Sequence, residues 1–434
     1  MRKNFIVIKK YLVGFLLIIY AVDLSYLRRL QIIDLGYISG RELYEVALLG
    51  LLLLAIYNIN KTLTVIRDTK NLPLILLYIS TCTIVGYLYT KFNNISLPFS
   101  VEWRITVQGL AFISSVAAAT ILSQYILNSP RFVINCLYAG LVLILSTVVV
   151  QFLVQGFSGV VAHRLYGLAG EPKGLGLYLA PFVVALMFDK LSSFRGFLLL
   201  GLLTLMGFTF SATAFVTILS SVFFMMIVHD YTLRVKSIVW VSSVILALFA
   251  LFAANETLYA QIAERISFRV LGADEYKGDN LTAVDFPILG WTLVEGNEGP
   301  VMNFILENPI FGFTGIGYGM QTIFAFPYLL QSGGSGFLTT AYEGYITPNL
   351  GILNNITNYG FLVLVLMLYM TIKHLNNIKR YTKNRELYFL INFFMAGFFC
   401  SFFVYELHFK TIFYFFTLMI IAKELRRRRG NFLR

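Results

Sequence analysis

Apolar runs long enough to cross a bilayer recur from one end of this chain to the other. A spanning helix needs about 20 apolar residues to cross a hydrocarbon core of about 30 Å. Such runs occupy 5–22, 43–58, 72–90, 105–127, 132–154 and 174–188, then 237–254, 350–372, 387–405 and 409–422. Between them lie 33 uncharged residues from Gly196 to Val228. A single helix of that length would extend about 50 Å. The stretch is therefore expected to break near Thr209-Phe210-Ser211-Ala212-Thr213 into two short spans. The pattern predicts an all-α polytopic membrane protein of about twelve spans with both ends on one side.

Composition points the same way. The chain has 434 residues, 58% of them hydrophobic and 13% charged, against about 25% charge in a soluble domain. That leaves too little polar surface to cover a core in water, which excludes a soluble enzyme, a DNA-binding protein and a disordered scaffold. A net charge of +12 would suggest nucleic acid in a soluble protein. In this chain it reads as orientation, with a lipid bilayer and not nucleic acid as the partner. A cytoplasmic N-terminus places 23 of the 34 Lys and Arg residues inside and 17 of the 22 acids outside, as the positive-inside rule requires. The start MRKNFIVIKK has the basic flank of a secretory signal, but no small-residue cleavage site follows it. It is read as an uncleaved first span. Cys82, Cys136 and Cys400 all lie in apolar runs and read as small apolar fillers.

Three regions follow. Residues 1–254 carry spans one to nine with short loops, among them 155–173. Residues 255–345 form one large extracytoplasmic loop, and 346–434 carry spans ten to twelve and a basic tail. Trp291 and many Phe and Tyr residues in the large loop argue for a folded lid. No internal repeat is visible, which counts against a transporter built from two related halves.

The chemistry-bearing residues sit in the extracytoplasmic loops. His163-Arg164-Leu165-Tyr166-Gly167-Leu168-Ala169-Gly170-Glu171-Pro172 joins spans five and six. It brings a cationic pair, a carboxylate and a helix start together, an arrangement suited to an anion such as phosphate. Glu171 would oppose an anion beside it and suits sugar hydroxyls or Arg164 better; the bland reading is a capped helix with a snorkelling arginine. In the large loop Leu258, Ile262, Ile266 and Val270 recur every four residues, predicting an amphipathic helix. Arg265 and Arg269 lie one turn apart on another stripe, a fork for phosphate oxygens or else a solvated face. Arg265, Arg269 and Lys277 are the only basic residues in a loop with ten acids. Asn308-Pro309 followed by Gly312, Gly315, Gly317 and Gly319 reads as a tight turn into a helix, since no Lys-Ser/Thr pair follows. No histidine occurs in 255–345, which excludes a zinc site or a Ser-His-Asp triad there. Neither a metal nor a cofactor is expected.

Arg164-x2-Gly167-x3-Glu171-Pro172-x3-Gly176 before a span resembles the signature of the O-antigen polymerase and O-antigen ligase superfamily. The order of further features agrees: Thr209-Phe210-Ser211, one large loop, Asn308-Pro309 with Gly312, and Asn349 to Gly360 leading into a span. The resemblance covers roughly 155–370. It implies a glycosyltransferase of the bacterial inner membrane with both termini cytoplasmic. Its donor is an undecaprenyl-pyrophosphate-linked oligosaccharide used at the extracytoplasmic side, and a chain-length regulator protein is a further partner. Pyrophosphate binding carries over to Arg164 and, less directly, to Arg265 and Arg269. Arg164, Glu171 and His163 are the catalytic candidates, with either Glu171 or His163 as base. Superfamily ligases carry a histidine just before the next span, whereas this chain has Asn354-Asn355. That favours a polymerase over a ligase that moves finished glycan to lipid A core or another acceptor. A lipid-linked oligosaccharide flippase is the reading from a different class, and it is disfavoured by spans nearly free of charge.

Overall fold

The computed structural model describes residues 2–21, 40–69, 71–92, 100–163, 165–167, 172–189, 193–209, 211–229, 283–286, 291–294, 298–317, 320–331, 351–379, 384–403 and 410–432, with single positions between 235 and 243. These are helical apart from one hairpin. The first helices are α1 (Arg2–Ala21), α2 (Gly40–Tyr57), α3 (Ile59–Asp68), α4 (Leu72–Phe92), α5 (Val101–Asn128) and α6 (Pro130–His163). Next come α7 (Pro172–Met187), α8 (Ser193–Thr209) and α9 (Ala212–Val228). The antiparallel pair β1 (Ala283–Phe286) and β2 (Trp291–Val294) is followed by α10 (Glu298–Glu307), α11 (Pro309–Thr314) and α12 (Gln321–Gln331). The chain closes with α13 (Gly351–Tyr359), α14 (Phe361–Lys379), α15 (Arg385–Phe403) and α16 (Lys410–Phe432).

Among the described residues, four helices are long and apolar enough to cross a membrane: Leu72–Phe92, Val101–Asn128, Pro130–Gly156 and Arg385–Phe403. Two bent helix pairs raise that number to six, and three shorter apolar helices lie within α7, α8 and α9. The bundle has a closely packed centre and an apolar outside. Every residue from Leu179 in α7 to Phe188 just beyond it is buried, and α15 buries Phe389 through Phe402 without interruption. Helices buried all round are hydrophobic all round. At the periphery Leu53, Leu77, Val149, Leu153, Val154, Phe197, Leu219 and Leu362 stand exposed. A skin of that kind over several helices would be an aggregation surface in water and is the expected surface in lipid.

The break expected in 196–228 occurs where helix length demands it. α8 ends at Thr209, and α9 restarts behind Ser211, whose hydroxyl accepts from the Ala214 amide at 3.4 Å. A side-chain acceptor at that position satisfies one of the amides a new helix leaves open.

Two stretches differ from expectation. The connector at 59–71 holds α3, at 95° to the last turns of α2. Ile59, Leu63 and Ile66 share one face of it and none of its residues is buried, the form of a helix lying in a membrane interface. Lys423 of α16 reaches Asp68 at its end, 3.4 Å away. The span expected at 350–372 is two helices, α13 and α14, bent by 110° at Gly360. Four polar residues, Asn354, Asn355, Thr357 and Asn358, lie in α13, and all are buried. A straight span would carry them into lipid, whereas the bend turns α13 back into protein.

The second half of the large loop is folded and packs deep. Phe304, Phe311 and Phe324 stack in one aromatic cluster (centroids 5.2–5.9 Å) that also takes in Tyr89 of α4. The Thr314 carbonyl accepts from the Tyr78 hydroxyl (2.8 Å) and faces Cys82 Sγ (3.4 Å), both at mid-length of α4. Glycines make that approach possible: a Cβ on Gly86 would lie 2.6 Å from the Ile316 carbonyl oxygen, and one on Gly317 would strike the Thr83 backbone. The glycine-rich run after Asn308-Pro309 is therefore an inter-helix contact as well as a turn.

Candidate functional site

The loop that carries Arg164 leaves the end of α6 and enters α7 at Pro172, its first residue. Proline has no amide to lose there and its fixed φ suits the first turn. His163 closes α6 in backbone. Its side chain lies outside the described residues, as do Arg164, Glu171, Arg265, Arg269 and the helix expected at 258–270. The five candidate residues are thus not placed relative to one another. What is described is the frame that carries the first three.

That frame is tightly specified. The Leu165 amide donates to the Phe208 carbonyl (3.1 Å) and its side chain is buried, so the loop docks on the C-terminal end of α8. The Tyr166 and Gly167 amides both donate to Gln151 Oε1, at 3.0 and 2.8 Å. Two N–H groups converging on one atom require an oxygen there, which fixes the orientation of the amide. Gln151 Nε2 donates to Gln155 Oε1 (3.0 Å), and Gln155 Nε2 donates to the Tyr166 hydroxyl (3.3 Å). Residues four apart share a helix face, and these two glutamines stitch the loop along α6. Immediately beyond them α6 leaves helical geometry at Gly156 (φ 65°, ψ 179°).

The glycines of the loop are steric requirements. Gly167 has φ 52°, and a Cβ on it would lie 2.9 Å from Val148 Cγ2. A Cβ on Gly176 would collide with that of Ala214, so the first turns of α7 and α9 meet in near backbone contact. Thr209 ties its hydroxyl to the Met206 carbonyl (2.7 Å) at the same level. Gly167, Gly176, Thr209 and Ser211 therefore bring three helix ends together under the Arg164 loop. The N-terminus of α7, which follows the Arg164 loop directly in the chain, leaves free amides and a positive dipole end, which favour an anion.

Asn308 precedes α11, with Pro309 first in the helix, but its side chain makes no cap. It donates to the Phe304 carbonyl (3.1 Å) and to the Tyr328 hydroxyl (3.5 Å). Tyr328 in turn donates to Glu307 Oε2 at 2.6 Å. Burial, then the Glu307 carboxylate, push the Tyr328 hydroxyl up to about 12, so it remains a proton donor throughout the physiological range. The group ties α10 to α12 and holds no described catalytic residue.

Three features were absent from the sequence reading. One is the pair Gln151 and Gln155, whose signal was two glutamines four apart in an apolar run. The second is the burial of the α13 asparagines, of which the sequence singled out Asn354-Asn355 only for standing where a histidine was looked for. The third is His229, 1% exposed at the end of α9, whose Nδ1 faces the Met225 carbonyl (2.9 Å) and Nε2 faces Asn392 Oδ1 (3.2 Å). Among the described residues no group of three His, Cys, Asp or Glu side chains is arranged to hold a metal ion. Comparison of the chain with protein-family models, with curated proteins and with solved structures gives no match.

Proposed function

We propose that the protein is a polysaccharide polymerase of the bacterial cytoplasmic membrane. It transfers a glycan from undecaprenyl pyrophosphate to the non-reducing end of another lipid-linked repeat unit, on the extracytoplasmic side. The observation that carries the reading is Arg164-x2-Gly167-x3-Glu171-Pro172-x3-Gly176, set on a loop whose backbone is held to α6 by Gln151 and which leads into the N-terminus of α7. In the reaction an acceptor hydroxyl oxygen attacks the anomeric carbon, and the carbon–oxygen bond to the pyrophosphate breaks. The pyrophosphate leaves with the electron pair, and the hydroxyl proton passes to Glu171 or His163. Charge develops on the leaving group, so a guanidinium fixed beside it lowers the barrier. Arginine suits this better than lysine because its fork binds two phosphate oxygens at once. Arg265 and Arg269 provide a second fork on the same leaving group.

Purified protein given lipid-linked repeat units, with no nucleotide sugar, is expected to yield a ladder of longer lipid-linked glycans. A single transfer to an unlike acceptor would identify a ligase instead, and translocation without any new glycosidic bond a flippase.

The frame gives a further expectation. Gln151→Leu leaves the Tyr166 and Gly167 amides without their acceptor, at a cost of about 1–3 kcal/mol for each amide that stays buried. The ladder rate should fall ten-fold or more while the protein still inserts in the membrane. A full rate in this variant would show that the loop does not depend on its tie to α6.

A further inference from the structure

The polar face of α13 contains two acceptors with nothing to accept from. Asn355 Oδ1 and Asn358 Oδ1 are sealed from solvent and have no hydrogen-bond partner among the described residues, on side chains 0% and 2% exposed. The Asn355 nitrogen is engaged twice, so that group cannot be turned to remove the defect, and turning Asn358 together with Asn354 would only exchange its open oxygen for an open amide nitrogen. Asn355 Nδ2 donates to the Ser401 and Phe402 carbonyls at 3.3 and 3.0 Å, closing the end of α15. Asn358 Nδ2 donates to Asn354 Oδ1 at 3.1 Å. Residues three apart are neighbours on a helix face, so the two amides sit side by side on α13. Buried polar atoms are normally satisfied, and a pair left open on one face points to a ligand.

The chemistry selects that ligand. A carbonyl oxygen excludes an anion. Among the described residues no carboxylate adjoins these oxygens to offset the desolvation of a cation, and the start of α16 lies close by, where Thr411 donates to the Ser401 carbonyl at 3.2 Å and Lys410 adjoins it. A neutral donor meets neither objection, and one hydroxyl per amide oxygen satisfies the face.

Depth relates this face to the Arg164 loop. α9 and α15 run antiparallel, paired at His229 with Asn392 (3.2 Å) and at Ser221 with Cys400 (3.1 Å). α9 continues from Ser221 to Ala212, while α15 ends three residues beyond Cys400 at Phe403. At ~1.5 Å per residue the end of α15, where Asn355 binds, lies about 9 Å below the start of α9. The Arg164 loop is docked at the level of that start, through Leu165 and Phe208. Measured along α9 and α15, the asparagine face is thus offset from the docked part of the loop by about the length of one or two sugar rings.

We infer that Asn355 and Asn358 form a subsite for hydroxyl groups of the acceptor glycan, with their side-chain oxygens receiving the hydroxyl protons. This rests on the polymerase reading for the identity of the glycan, though not for the presence of a hydroxyl-binding site. Admission requires α13 to shift on its joint at Gly360.

The test is calorimetric binding of the free repeat-unit oligosaccharide, without its lipid, to the full-length protein in detergent. Binding to the wild type and an affinity lower by ten-fold or more in Asn358→Leu are expected, because a site built to bind a hydroxyl discriminates through that bond. Asn358→Ala, which adds no volume, should show the same loss if the leucine is not accommodated. Equal affinity in wild type and variant, or a variant that changes only the thermal midpoint, would reduce the asparagines to a structural role and overturn the inference. So would failure of the wild type to bind. A wild type that binds the oligosaccharide but builds no ladder would instead remove the polymerase reading and leave the subsite standing.

Discussion

Arg164→Ala is expected to abolish the glycan ladder while leaving the amount of protein in the membrane unchanged. Removing one group that stabilises developing charge costs about 10²–10³ in rate, and a pyrophosphate leaving group concentrates more charge than an oxyanion does. The loop is held through the backbone of Leu165, Tyr166 and Gly167, by Phe208 and Gln151. Arg164→Lys separates charge from geometry: it keeps the cation but loses the bidentate fork, so it should recover only part of the rate. Labelling of Arg164→Cys with a membrane-impermeant thiol reagent should proceed from outside the cell. A normal ladder in the alanine variant, or labelling from the cytosol alone, would remove the central claim of the mechanism.

Hydrophobic length was the part of this fold most legible in the sequence. The break between α8 and α9 followed from an apolar stretch too long for the bilayer, and it lies between Thr209 and Ala212, within the five residues expected. The start of α7 at Pro172 was likewise readable from proline's place in a first turn. The bend at Gly360 was not. An apolar run in a membrane chain means burial against lipid or against protein alike, so hydropathy alone joined α13 to α14. The contrary signal was local: polar residues at 354, 355, 357 and 358, followed by a glycine. α3 escaped for the opposite reason, since its apolar face is too short to count as a span. At the site, glycine chemistry was legible at Gly167 and Gly176, where no Cβ fits. The partner of the loop was not, because Gln151 lies in an apolar run and only the folded chain sets it against the Tyr166 and Gly167 amides.

The joint itself supports the largest expected loss of stability. Gly315 and Gly360, with φ 75° and 80°, face one another where α11 meets the turn between α13 and α14. A Cβ on Gly315 would lie 2.6 Å from the Gly360 nitrogen and the Tyr359 carbonyl carbon. A Cβ on Gly360 would lie 2.5 Å from the Phe313 carbonyl oxygen. The obstructing atoms are backbone, so no rotamer change relieves either contact. Gly360→Ala therefore combines a left-handed backbone penalty with overpacking, together about 2–5 kcal/mol. Separation of the two segments would also stretch the 2.7 Å bond from the Ile316 amide to the Thr357 carbonyl, which docks the large loop on α13. A marked fall in thermal midpoint and in membrane abundance should follow, measured on protein purified in detergent. Gly315→Ala should act alike, and the double variant should lose less than the sum, because both substitutions open one contact. Gly201→Ala is the control: nothing lies within 4 Å of a Cβ there and the residue is helical, so the change should be neutral or mildly stabilising. If Gly360→Ala proved as benign as that control, α13 would not be pinned to α11 through this joint, and the bend that turns the asparagine face into the protein would need another cause.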